Sequence, residues 1–209
     1  MKKIFLVLVL SIGLASLGFA QLELKPAIGF NSSRFDSNPV FANDPKDSLV
    51  ADGRVGYQIG ASLAIGRKIY VEPGIFYNKM NQSFTPTNTE EDIKEEFTYN
   101  ASYIRIPVNF GWQFIGSNKS FAGLRIYLGP SMFIPLNVKE NSYPLVKDDL
   151  KSPQFDFSAG AGLNIWLLFL DVSYGWGLTP QFKDDYIEAK MQSFYANVGF
   201  RFKLKKDEE

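Results

Sequence analysis

The sequence predicts an all-β protein: an eight-stranded antiparallel up-and-down transmembrane β-barrel with short periplasmic turns and long extracellular loops. Three observations lead there. Apolar residues recur at every second position in run after run from Gln21 onward, the period of a strand rather than a helix. The connections between runs alternate, tight then long. And "AGAGLNIWLLFLDVSYGWGL" (159–178), long and apolar enough for a membrane-spanning helix, carries four glycines and a central Asp171, which no such helix needs. Read with period two, that stretch is a hairpin turning near "WLL".

The runs follow in order. In "LELKPAIGF", Leu22, Leu24, Pro26, Ile28 and Phe30 share one face. In "RVGYQIGASLAIG", Val55, Tyr57, Ile59, Ala61, Leu63 and Ile65 do so, and in "IYVEPGIFYN" Ile69, Val71, Pro73, Ile75 and Tyr77. "YIRIPVNFGWQF" sets Ile104, Ile106, Val108, Phe110, Trp112 and Phe114 opposite Arg105, Pro107, Asn109, Gly111 and Gln113. "AGLRIYLGPSMFI" does the same with Leu124 through Ile134 against Gly123, Arg125, Tyr127, Gly129 and Ser131. "QFDFSAGAGLNI" and "LDVSYGWGL" form the hairpin, and "SFYANVGFRFKL" closes the set. These runs of about ten residues suit a tilted membrane-crossing strand better than the usual soluble strand of about 5–6. Connections after the second, fourth and sixth runs are short. Those after the first, third, fifth and seventh span 35–53, 79–98, 137–153 and 179–191 and are polar. Short turns at one end and long loops at the other mark an outer-membrane barrel.

The N-terminus has a positive "MKK", an apolar "IFLVLVLSIGLASL" and a small-residue "GFA", the pattern of a secretory signal peptide cleaved after Ala20. The expected organisation is signal peptide 1–20, barrel 21–204 and a charged periplasmic tail 205–209. The expected location is the cell outer membrane.

A soluble sandwich or lipocalin-like barrel also alternates. The non-apolar face decides between them. Here it is dominated by Gly, Ser, Asn and Gln, which suit a crowded interior. The opposite face of Ile, Leu, Val, Phe and Trp suits lipid, with Tyr and Trp near the run ends for the interfacial girdles. Basic and acidic residues balance at 22 each, which leaves no basic footprint for a nucleic-acid partner. With no cysteine and no histidine, thiolate chemistry and histidine-assisted catalysis are excluded.

Period two sends Glu23, Lys25, Glu72, Arg105, Arg125, Asp156, Asp171 and Arg201 inward, with Arg54 and Lys203 near the rims. The expected structural charge network is Glu72, Arg105, Arg125, Asp156, Asp171 and Arg201. Adjacent strands offer the pairs Glu72–Arg105 and Asp171–Arg201. Uncompensated charge in a narrow lumen costs several kcal/mol, so pairing is expected. Eight strands leave an interior that side chains just fill, so the expectation is a plugged core. Paired carboxylates also hydrolyse glycosides and acid clusters hold calcium, but a lumen too narrow for substrate disfavours interior catalysis. No catalytic, cofactor-binding or metal-ligating residue is assigned. The acidic run "EEDIKEE" (90–96) reads first as a solvated loop.

The chain resembles the PorT-like outer-membrane β-barrel proteins of Gram-negative bacteria. The resemblance rests on "YIRIPVNFGWQF", "LGPSMFIPL", "FSAGAGLNIWL" with "LDVSYGWGL", and the closing "YANVGFRFKL". It covers nearly all of 21–209, but its motifs are patterns of strand and turn. Members often carry an acid where Arg105 stands. The name-giving member takes part in protein secretion, so the resemblance implies a role as an accessory to a secretion or surface-motility machinery. The aromatic last strand, with Phe200 and Phe202, implies recognition by the barrel-insertion machinery. Three functions stand side by side: a non-enzymatic structural or interaction protein acting through its extracellular loops, that accessory role, and a channel for small solutes or apolar ligands. The partners expected are outer-membrane lipid and a protein at the loops or the periplasmic face.

Overall fold

The computed structural model describes residues 21–35, 49–86, 97–116, 120–138, 150–181 and 190–204. The expected signal peptide, the acidic run 90–96 and the charged tail lie outside the described residues.

Alternation of apolar and small polar residues builds β1 (Leu22–Phe35), β2 (Leu49–Gly66), β3 (Ile69–Pro86), β4 (Phe97–Ile115), β5 (Ala122–Val138), β6 (Gln154–Ile165), β7 (Leu168–Pro180) and β8 (Lys190–Phe200). A short β9 (Phe202–Lys203) continues β8 in the same register against β1. From β1 to β8 each strand is antiparallel to the next, and β1 pairs with both β2 and β8, so the sheet closes on itself. Closure removes the unpaired edge that lipid does not tolerate. Residues 159–178 cross the barrel wall twice, within β6 and β7.

The registers fix the shape. A path through paired residues runs Leu22, Ile65, Val71, Phe110, Leu128, Ala159, Tyr174 and Phe194, and returns to β1 at Ser32, ten positions beyond its start. At ~3.3 Å per residue and ~4.8 Å per strand, that offset tilts the strands by roughly 40°, as barrel closure requires.

The outer wall is apolar: Ile28, Phe30, Ile59, Ile75, Phe110, Trp112 and Leu128 are all exposed. In water such a surface would drive aggregation; in a bilayer it is the wall. The turn end is compact. Gly66 takes φ 138° at the β2–β3 turn, a region only glycine enters readily. Trp166, with φ 52°, and Leu167 make the β6–β7 turn.

Strand length differs from the expectation. β2, β3, β4 and β5 run 18, 18, 19 and 17 residues, β2 and β3 reaching five and eight residues into the segments read as loops, whereas β6, β7 and β8 run 12, 13 and 11. The backbone ladder continues, for instance Ser83 opposite Thr98 and Val50 opposite Thr85. Above the apolar band both faces of a sheet are hydrated, so the apolar member of the alternation drops out while the hydrogen bonds persist. The barrel thus has a tall wall, β2–β5, and a short one, β6–β8 with β1.

Candidate functional site

The chemistry-bearing side chains lie in the lumen, in tiers from the turn end to the loop end. In the first tier Arg201 donates to both carboxylate oxygens of Glu23 at 2.8 Å, and Gln21 Nε2 adds a 2.9 Å bond to Glu23. The backbone N–H of Arg201 is held by the Leu167 carbonyl at 2.7 Å, which fixes where its side chain starts.

The second tier is a closed quartet. Lys25 Nζ lies 2.8 Å from Glu72 Oε1 and 3.5 Å from Asp171 Oδ2. Arg125 completes the ring: Nη1 is 3.0 Å from Glu72 Oε2, and Nη2 is 2.5 and 2.6 Å from the two Asp171 oxygens. Two cations and two anions cancel in a space where isolated charge is most expensive. Ser62 donates to Glu72 at 2.6 Å, and Arg125 to the Tyr70 hydroxyl at 3.3 Å. Phe169 underlies both cations, with Lys25 Nζ 4.3 Å from its ring centre.

All four quartet residues sit on odd strands, β1, β3, β5 and β7, and reach one another over small residues on the strand between. On β6, Gly162 is paired with both Arg125 and Asp171. A Cβ there would collide with Asp171 Oδ1 and the Arg125 side chain. On β2, Ser62 is opposite Lys25 and bonded to Glu72. Tyr70 uses the same device, its ring lying across Gly111 on β4, where any Cβ would overlap it.

This geometry corrects the expected pairs. Glu72 is opposite Asn109, and Arg105 is opposite Phe76, four residues further along β4. Asp171 is opposite Asn197, four residues from Arg201. Four residues are ~13 Å along a strand, beyond the reach of a direct ion pair. The carboxylate of Glu72 is therefore met by Lys25 and Arg125, that of Asp171 by Arg125 and Lys25, and Arg201 serves Glu23. The stagger between strands, invisible in a list of alternating residues, decides the partners. Lys25 and Glu23, outside the six-residue network read from the sequence, are full members of it.

Arg105 belongs to a third tier. Its guanidinium lies 3.9 Å over the Tyr195 ring and 5.8 Å from Phe133, and donates to Ser131 Oγ at 3.2 Å. Asp156 accepts from the hydroxyl and backbone N–H of the same Ser131 and lies within the field of Arg105. Beside this tier an amide chain crosses β1, β3, β2 and β8. Asn31 donates to Asn78 (3.0 Å), Asn78 to Gln58 (3.3 Å) and Gln58 to Asn197 (2.5 Å).

The loop end of the lumen is capped by apolar side chains. Tyr103 and Phe133 meet edge to face at 6.3 Å, with Met80, Ala101, Leu150 and Met191 buried. Gln181 ties this cap down: its Nε2 donates to the Tyr103 hydroxyl at 2.8 Å, and its carbonyl accepts from the Lys151 N–H at 2.9 Å. Among the described residues, small cavities lie in the lumen. One of about 20 Å³ lies between Glu23, Arg201, Arg125 and Gln113, and one of about 30 Å³ between the quartet and Arg105. Each has room for one or two waters.

Residues 19–183 match the family model described as outer membrane protein beta-barrel domain. Among solved structures, the chain is similar to the outer membrane protein OprG from Pseudomonas aeruginosa. That likeness has 8% identity over 88% of this chain and 96% of that one, with a TM-score of 0.53. It is also similar to Ail, the attachment invasion locus protein of Yersinia pestis, solved in complex with the heparin analogue sucrose octasulfate. There the identity is 13% over 87% of this chain and 99% of that one, with a TM-score of 0.44. No curated protein matches the sequence. At these identities the OprG likeness speaks to the fold alone.

Proposed function

The chain belongs to the family of outer membrane β-barrel domains and is an integral outer-membrane protein, and from that premise we propose that it is a non-enzymatic structural or interaction protein whose lumen is a filled core. In this reading the turn end is periplasmic and the loop end extracellular, so that partners meet the loops and the tall β2–β5 wall. The observation that carries it is the tiered filling of the barrel. A neutral ion-pair quartet and an apolar cap stand across the lumen one above the other, and the cavities beside the quartet, among the described residues, are water-sized. A barrel stiffened this way is a rigid mount for loops, and loops on rigid scaffolds are where binding concentrates.

Two measurements test it. The full-length protein reconstituted in a planar bilayer is expected to give no discrete conductance steps; steady single-channel openings overturn the filled-core reading. A deletion strain is expected to export its secreted proteins normally while its surface adhesion changes. Lost export would instead favour the accessory role in secretion.

A further inference from the structure

Proline belongs at the edges of a sheet, because it brings no N–H to the ladder. The tall wall nonetheless carries one in the body of three adjacent strands: Pro73 on β3, Pro107 on β4 and Pro130 on β5. Each coincides with two consecutive pairs missing from the ladder. Between β2 and β3 the pairing reaches Ser62–Gly74 and resumes at Ile65–Val71. Between β3 and β4 it passes from Phe76–Arg105 to Pro73–Val108. Between β4 and β5 it passes from Pro107–Ser131 to Phe110–Leu128. The register is the same on both sides of each gap, so these are lost bonds and not bulges.

The three gaps fall in one line. Pro73 is opposite Val108, and Pro107 is opposite Ser131, the neighbour of Pro130. The line therefore crosses β2–β5 at right angles to the strands. The ladders β5–β6 and β6–β7 run unbroken at every level. Pro26 leaves a similar gap between β1 and β8, but there the Arg201–Glu23 ion pair, at 2.8 Å, ties the two strands. The lumen is also thin behind the line, where the cavity of about 30 Å³ is lined by Ser62, Glu72, Pro107 and Asn109. Below stands the ion-pair quartet. Above, the ladder recovers and continues to Ser83–Thr98 and Val50–Thr85. That upper part meets the opposite wall through neutral bonds, Asn31 to Asn78 and Gln181 to Tyr103, and through Arg105 on the Tyr195 ring.

We propose that this line is a hinge. The upper part of β2–β5 tilts on it as a stiff plate against β8 and β1, while the quartet below stays closed, and the loop end thereby adjusts its mouth to a partner. Unpaired backbone is expensive in a bilayer, so its repetition at one level of three neighbouring strands is a departure from the local rules of the kind that function explains. A hinge needs few hydrogen bonds, loose packing behind it and a rigid body on either side, and the line has all of these. The use of the hinge rests on the interaction reading above; the hinge itself is measured without a partner.

The chain has no cysteine, so pairs of spin labels can be introduced singly into the full-length protein in lipid vesicles. Asn100→Cys/Phe194→Cys places labels on β4 and β8 above the line, and Phe110→Cys/Val198→Cys places them on the same strands below it. Double electron–electron resonance reads the two distance distributions. The upper pair is expected to be broad and the lower pair narrow. Pro73→Val/Pro107→Val/Pro130→Val restores the three missing N–H groups and should narrow the upper distribution to the width of the lower. Each restored bond should also slow amide exchange beside the line, in peptides covering 62–75 and 105–110, by about fivefold. Heat-modifiable gel mobility verifies folding. If the triple variant does not fold, Pro73→Val and Pro130→Val carry the test separately, each with a partial narrowing. A narrow upper distribution in the wild type overturns the proposal, and so does one that the folded proline variants leave as broad as before. A static wall leaves the interaction reading standing, whereas a conducting lumen overturns that reading and leaves the hinge.

Discussion

Arg125 and Arg105 are two buried guanidiniums in one barrel, and they are held in opposite ways. Arg125, in the periplasmic half of the lumen, is gripped by two carboxylates and shares them with Lys25. Arg105, in the extracellular half, lies flat on the Tyr195 ring and leans on a serine hydroxyl. The periplasmic half is ion-paired; the extracellular half passes from amides into an aromatic cap. A closed ring of charges is strong only while every member is present, because each loss strands an opposite charge. An aromatic support degrades more gently, since ring and hydroxyl are neutral without the cation and Asp156 meets Arg105 through its field and through Ser131 rather than in a closed ring.

The largest expected effect tests that difference directly. Arg125→Ala leaves Glu72 and Asp171 facing a single lysine and should cost about 3–5 kcal/mol. Urea unfolding of the protein in lipid vesicles, followed by tryptophan fluorescence, measures it; a loss near zero would show that the quartet is not a closed unit. Gly162→Ala should follow, at about 2–4 kcal/mol, because its Cβ must push Arg125 and Asp171 apart without removing either charge. If instead it is as benign as an ordinary strand substitution, the glycine is not the bridge point between β5 and β7. Arg105→Ala should cost less, about 2 kcal/mol, from the lost ring contact, the lost hydroxyl bond and the weaker field at Asp156. A cost equal to that of Arg125→Ala would erase the contrast between the halves.

The same contrast marks what the sequence could convey. Facing was legible along the membrane-spanning parts of β1–β8, because lipid outside and a crowded core inside force a period of two. It failed at the rims: Arg54, beyond a register shift on β2, and Lys203 are exposed rather than inward. Tyr103, Phe133, Glu72 and Arg125 all fall on the face that the alternation assigns to the lumen. Partner identity was not legible. Glu72 and Arg105 are on neighbouring strands yet about four residues out of step, and the stagger that separates them is a property of the closed barrel. A faint signal did exist: Gly162, Ser62 and Gly111 put minimal side chains on the even strands where bulky groups on the odd strands meet. Strand extent was lost for a different reason. The upper parts of β2 and β3 read as polar loop, because alternation reports lipid contact rather than hydrogen bonding.

The smallest expected effect probes the cap. Tyr103→Phe keeps the ring on Phe133 and removes only the hydroxyl that accepts from Gln181. Gln181 is buried, and its carbonyl also holds Lys151, so its side-chain amide would lose a partner while its backbone contact survives. One neutral hydrogen bond of this kind contributes about 1 kcal/mol. That loss is within reach of the same urea measurement and well below that of any quartet variant. It should also appear locally, as faster proteolysis near Lys151, because Gln181 is what joins the segment entering β6 to the end of β7. A global loss of several kcal/mol from this single oxygen would mean that the extracellular half is as tightly coupled as the ion-paired half. Softened protection at Lys151 with global stability nearly intact is the pattern that a modular, tiered lumen requires.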